Sequence, residues 1–184
     1  MKLLKAFILA VSLSPAMGFA GLLIEPYLSY AALKYSGSTN YEGLKTDLNE
    51  TDLTGPIYGA RLAYGIGNLG FGFDYSKASL NDAGNSSAMT NMCGFGMLSW
   101  DSIRFWAGYI FDTSRTIKNT DYSIDNTIKG TGLKAGLGWS LTSYFSINVE
   151  YLSLDYKKED SSSLSDLNEQ DKGFLVGISV PYVL

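Results

Sequence analysis

The stretch TGLKAGLGWSL, Thr131 to Leu141, decides the fold. Thr131, Leu133, Ala135, Leu137, Trp139 and Leu141 fall on every second position, against Gly132, Lys134, Gly136, Gly138 and Ser140. Strict alternation over that length is a strand period, and helical spacing fails on it. The same period recurs in IYGARLAYGI, where Tyr58, Ala60, Leu62, Tyr64 and Ile66 oppose Gly59, Arg61, Ala63 and Gly65. LGFGFDYS sets Leu69, Phe71, Phe73 and Tyr75 against Gly70, Gly72, Asp74 and Ser76. IRFWAGYIFD sets Ile103, Phe105, Ala107, Tyr109 and Phe111 against Arg104, Trp106 and Gly108.

Four more segments complete the pattern. IEPYLSYAALKY (Ile24–Tyr35) comes first, and FSINVEY alternates Phe145, Ile147, Val149 and Tyr151 with Ser146, Asn148 and Glu150. After Tyr151 the apolar positions shift to Leu152 and Leu154, which reads as a bulge. NMCGFGMLSW (Asn91–Trp100) is the least regular: Cys93, Phe95 and Met97 fit one face, while Leu98 and Trp100 break it. The last segment, GFLVGISVPYVL, places Phe174, Val176, Ile178, Val180, Tyr182 and Leu184 on one face up to the final residue. Polar, loosely held residues are usual at such an end, so this segment requires a partner surface.

The connections alternate as well. Gly67-Asn68, Asp101-Ser102 and Leu141-Thr142-Ser143 have the residues of tight hairpin turns. Between them lie the longer polar stretches Ser36–Leu53, Leu80–Ala88, Lys118–Asn126 and Lys157–Asp171. Short and long connections in turn are the pattern of an all-β, eight-stranded antiparallel up-and-down barrel, with both ends of the chain at the short-turn rim.

The first residues address the chain. Lys2 and Lys5 precede an apolar run from Ala6 to Leu13, and Ser14, Pro15 and Gly18-Phe19-Ala20 follow. A charged start, a short apolar stretch and small residues at a cleavage position make residues 1–20 a secretory signal peptide. The run is too short to span a bilayer. Residues 21–184 then form one barrel domain of ordinary size. The net charge of −4 becomes more negative without the two signal lysines, which argues against a nucleic-acid partner. Cys93 is the single cysteine, so an exported chain of this kind relies on packing or lipid and not on disulfides.

Composition says which face is inside. On three of these segments the weaker face consists of Gly59, Arg61, Ala63, Gly65, Gly70, Gly72, Asp74, Ser76, Gly130, Gly132, Lys134, Gly136, Gly138 and Ser140; eight of these fourteen are Gly. A strand face in water would use Thr, Lys or Glu, because Gly weakens a strand and makes no cross-strand contact. The interior of an eight-stranded barrel is narrow, so glycine belongs there. The aromatic face then points outward, where it is an aggregation liability in water and the required contact in a bilayer. Tyr58, Tyr64, Tyr75, Tyr109, Trp139, Tyr151 and Tyr182 sit where interfacial girdles are expected.

On these features the chain resembles the small outer-membrane β-barrels of the OmpA/OmpX type. The resemblance implies a bacterial outer-membrane location of the Gram-negative kind, outer-membrane lipid as partner, and a barrel assembly machinery that reads the final strand. Members often end in Phe where this chain has Leu184.

The inward assignment places three acids, Glu25, Asp74 and Glu150, with three bases, Arg61, Arg104 and Lys134. Facing lipid at mid-depth, each base would cost ~2–4 kcal/mol. Unpaired in a dry interior, each charge would cost several kcal/mol, so a balanced set is expected to pair and fill the lumen. A narrow ion-conducting pore gated by the same residues is the alternative, and a soluble periplasmic ligand-carrying barrel is a second.

Catalysis has little to work with. The chain has no His, and a Ser or Thr nucleophile normally needs such a base. Asp112, Ser114 and Arg115 cluster near a strand end, a place where solvated polar residues are usual. No catalytic residue, cofactor or metal site is expected, although the acidic loops could take Ca²⁺ weakly. The loop stretches YEGLKTDLNETDL (Tyr41–Leu53) and KKEDSSSLSDLNEQDK (Lys157–Lys172) remain as recognition surface for an extracellular ligand, or as hydrophilic shielding.

Overall fold

The computed structural model describes residues 20–41, 44–82, 85–119, 124–159 and 166–184. The expected signal peptide, but for Ala20, lies outside the described residues. Nine strands follow one another: β1 Gly21–Tyr41, β2 Leu44–Ile66, β3 Leu69–Asp82, β4 Asn85–Trp100, β5 Ile103–Asn119, β6 Ile124–Thr142, β7 Phe145–Glu159, β8 Asp166–Ser179 and β9 Tyr182–Val183. No helix occurs among the described residues.

From β1 to β8 each strand pairs antiparallel with the next, and β1 pairs with both β2 and β8, which closes the sheet. β9 continues β8 beyond Pro181 in the same register, since Tyr27 opposes Ser179 and Ile24 opposes Tyr182. The wall therefore has eight staves, and the last is broken where Pro181 cannot donate to the ladder. Across the break Val180 N donates to Pro26 O at 3.0 Å and Leu184 N to Leu22 O at 2.8 Å. Phe174, Val176, Ile178, Tyr182 and Leu184 are exposed on the outer surface, and Val180 is half-buried.

The register gives the stagger. Followed from strand to strand it runs Glu25, Arg61, Asp74, Cys93, Ile110, Gly132, Leu154 and Asp171, and meets β1 again at Tyr35. That displacement from Glu25 to Tyr35 inclines the strands by about 40° to the barrel axis. The outward apolar run Leu133–Leu141 on β6 has the length of a hydrocarbon crossing by a tilted strand.

Several expectations change. The polar stretches read as long loops are mostly strand: β1 runs to Tyr41 and β2 starts at Leu44 in register with it. Asn and Ser suppress a strand only weakly when ladder partners continue on both sides. Residues 42–43, 83–84, 120–123 and 160–165 of these stretches lie outside the described residues. The third tight turn is Ser143-Tyr144, one step beyond Leu141-Thr142-Ser143, because β6 continues through Thr142 with a register shift after Ser140. The bulge expected after Tyr151 is absent. Pairing is continuous from Tyr151 opposite Ala135 to Tyr156 opposite Gly130, and Glu150, Leu152, Leu154 and Tyr156 all point inward. The shift in the apolar pattern records a lumen that turns from polar to apolar.

On β4 the glycine rule reverses. Cys93, Phe95 and Met97 share the inner face, while Gly94 and Gly96 face out. Volume explains the exchange. Phe95 opposes Gly72 on one side and Gly108 on the other, so glycines of the neighbouring strands make room for its ring. A true bulge lies on β5, where Phe111 and Asp112 are both exposed and pairing with β4 shifts between Met92 and Cys93.

Candidate functional site

Among the described residues, most strands contribute chemistry to the lumen. Period two carries Glu25 and Tyr27 of β1, Arg61 of β2, Asp74 of β3, Arg104 and Trp106 of β5, Lys134 of β6 and Glu150 of β7 to the interior, where all are buried. Arg61 is the hub. Its Nη1 lies 3.3 Å from Glu25 Oε2, its Nε 3.2 Å from Asp74 Oδ2, and its Nη2 bonds Glu150 Oε1. The guanidinium lies between two rings, 4.4 Å from the centroid of Tyr27 and 4.2 Å from that of Trp106. Lys134 Nζ bridges Asp74 and Glu150, at 2.9 Å from each. It also donates to the Tyr27 hydroxyl at 3.0 Å, which in turn donates to Asp74 Oδ1 at 2.8 Å. Lower down, Arg104 Nη2 reaches Glu25 Oε1 at 2.8 Å and Ser146 Oγ at 2.9 Å, and Ser179 Oγ donates to Glu25.

These side chains fit because their neighbours have none. A Cβ added at Gly59 would stand 2.7 Å from the Tyr27 hydroxyl, one at Gly136 would meet the Trp106 ring, and one at Gly138 would stand 2.6 Å from Asn148 Oδ1. Every acid of the cluster has at least one cationic partner. That is the condition under which ionised groups persist away from water.

Above Lys134 and Glu150 the inward positions turn apolar. Ile57, Ile110, Leu152 and Leu175 come first, then Leu33, Met89 and Leu154, each exposed by no more than 1 %. Within this layer Thr113 Oγ1 donates to Asn91 Oδ1 at 2.6 Å. Towards the long-connection rim a second polar group follows. Arg115 Nη1 grips both carboxylate oxygens of Asp171, at 2.7 and 2.9 Å. Tyr156 donates to the same carboxylate at 2.9 Å, and the Arg115 guanidinium covers the Tyr35 ring at 4.6 Å. At the short-turn rim, a vestibule of about 500 Å³ lined by Ser99, Asp101, Ser140, Thr142 and Tyr144 leads to Arg104.

The six charged residues expected inside are thus brought together by ion pairs. Asp112, Ser114 and Arg115 are not. The β5 bulge sends Asp112 outward, Ser114 is half-buried on the outer face, and Arg115 is buried inside with Asp171. Sequence reasoning missed the Arg115–Asp171 pair for that reason. An extra residue changes parity, so Arg104 and Arg115 share a face although one number is even and the other odd. Asp171 keeps the parity of Leu175 and Gly173 on β8 and could have been read from it.

No family model and no curated protein matches the sequence. Solved structures do resemble the fold. Neisserial surface protein A aligns with a TM-score of 0.52 at 13% identity, covering 89% of this chain and 98% of that one. The outer membrane protein OprG of Pseudomonas aeruginosa aligns with a TM-score of 0.47 at 10% identity, covering 90% and 98%. Ail, the attachment invasion locus protein of Yersinia pestis, aligns with a TM-score of 0.47 at 13% identity, covering 89% and 99%. The fold is that of a small eight-stranded outer-membrane β-barrel.

Proposed function

We propose that the chain is an integral protein of the bacterial outer membrane with a structural or surface-interaction role, whose lumen is plugged by its own side chains. The observation that carries this reading is the stacked filling of the interior: an ion-paired layer around Arg61, an apolar layer above it, and the Arg115–Asp171 pair above that. Ions crossing it would have to break paired charges and then enter a dry layer, and an eight-stranded barrel has little room to spare. The outward band of Phe, Tyr, Leu and Val supports the membrane location, because hydrocarbon is the solvent such a surface suits. The reading includes no catalytic role. Strand extensions beyond the hydrocarbon band present the polar upper rim to the cell exterior. Reconstitution in planar bilayers tests the plug. No steady openings are expected, and ion-selective openings of the wild type would replace it with the narrow-pore reading. Heat-modifiability on a detergent gel after membrane fractionation tests location and closure; a chain found in the aqueous fraction would favour the carrier reading.

A further inference from the structure

The vestibule at the short-turn rim has the features of a small-molecule site. We infer that it binds a small zwitterion of the α-amino-acid kind, with the carboxylate on Arg104 and the ammonium towards Asp101. The pocket itself needs only the closed barrel. That this rim opens to the periplasm rests on the outer-membrane reading above.

The floor comes from one hairpin. Ser99 of β4 stands directly opposite Arg104 of β5, and both line the vestibule. Arg104 is 7 % exposed and Ser99 5 %. Both hydrogen bonds of Arg104 leave from Nη2, to Glu25 and Ser146. Its Nε has no hydrogen-bond partner among the described residues, and neither has Ser99 Oγ. A buried donor without an acceptor is costly. Two such donors on facing positions of a cavity floor, one of them cationic, suit the oxygens of a carboxylate.

Charge sets the other end of the ligand. Among the described residues, the charged members of the lining are Arg104 and Asp101. They belong to one hairpin and do not pair with each other: Arg104 pairs with Glu25, and Asp101 is exposed with no ion pair among the described residues. The cluster behind Arg104 is already balanced, with Glu25, Asp74 and Glu150 against Arg61, Arg104 and Lys134. A plain anion would add a surplus negative charge between Glu25 and Asp101. A molecule with one charge of each sign adds none, and its two ends match the two charges of the lining. Leu23, Pro181 and Val183 supply apolar lining for a side chain, beside the exposed ring of Tyr144. The volume of about 500 Å³ lies in the range of small-molecule sites.

Isothermal titration calorimetry of the full chain in detergent micelles, with empty micelles as the blank, tests the inference. The probes are L-phenylalanine, 3-phenylpropanoate, which lacks the ammonium, and phenethylamine, which lacks the carboxylate. The wild type is expected to bind phenylalanine saturably, about tenfold more tightly than phenethylamine and about threefold more tightly than 3-phenylpropanoate. Asp101→Asn is expected to make phenylalanine and 3-phenylpropanoate equal. The backbone at Asp101 has φ 53°, which Asn also adopts, so the turn survives this change. Ser99→Ala is expected to weaken both carboxylates about fivefold, and Arg104→Gln to remove their advantage over the amine. Arg104 also holds Glu25, so the Asp101 and Ser99 variants, which leave that pair intact, decide the matter. A wild type that binds the three probes equally, or takes them up without saturation, overturns the inference. So does an unchanged preference for phenylalanine over 3-phenylpropanoate in Asp101→Asn, or unchanged carboxylate affinity in Ser99→Ala. Membrane fractionation of the same cells separates the two readings: a chain in the aqueous fraction removes the periplasmic side and not the pocket, whereas a membrane barrel without these preferences removes the pocket alone.

Discussion

Arg61 shows how single side chains hold this interior. Three carboxylates converge on one guanidinium that two aromatic rings enclose. Removing it leaves Glu25, Asp74 and Glu150 with only Arg104 and Lys134 to neutralise them. Arg61→Met should therefore cost about 3–5 kcal/mol, the usual penalty for an uncompensated buried charge. Urea unfolding in lipid vesicles reads this as a lower midpoint, and adding Glu150→Gln should restore part of it. An unchanged midpoint in Arg61→Met would show that the charges contribute little to stability. Glycines give a matched contrast. At Gly136 a side chain meets the Trp106 ring, and at Gly96 it meets nothing. Gly136→Val should cost ~1–3 kcal/mol through overpacking, and Gly96→Val should stay within ~0.5 kcal/mol of the wild type or stabilise the strand. Equal effects at the two sites would contradict the inside–outside assignment.

Strands carry more than their sequence period. β5 contains one extra residue at Phe111–Asp112, and everything beyond it changes face. Arg115 points inward to Asp171 because the bulge absorbs that residue. Deleting Asp112 should remove the bulge and leave a regular alternation, Ile110 in, Phe111 out, Thr113 in, Ser114 out and Arg115 in, so Arg115 keeps its place beside Asp171. The expected result is a folded gel band lost at the wild-type temperature; a clearly lowered transition would mean that β5 slips by one residue and loses the Arg115–Asp171 pair. The closing stave depends on few bonds below Pro181. Removing residues 180–184 deletes the Val180 and Leu184 contacts to β1 and should lower the same transition.

Across the barrel, the inward side chains lie in layers in series, and under the proposed plug this decides what a single substitution can do. Arg61→Ala alone should leave planar bilayers silent, because Ile110, Leu152 and Leu175 still form a dry layer above the vacated space. Combining it with Ile110→Gly and Leu152→Gly should produce openings, and openings from Arg61→Ala alone would show that the ion-paired layer is the only barrier. Strand number, closure and the identity of six inward charges were readable from residue order, because a pleated strand assigns faces by parity and a bilayer accepts only one assignment of bulk and charge. Glu25 and Arg61 needed no contact map to be placed inside. Their partners did. Which acid meets which base depends on the stagger that brings Glu25 round to Tyr35, and stagger is a property of the closed sheet, invisible in any one strand. The reach of strands into the polar stretches, the reversal of β4 around Phe95 and the inward turn of Arg115 have the same origin: ladder partners and neighbouring volumes across the sheet override local preference, and those neighbours exist only once the barrel has closed.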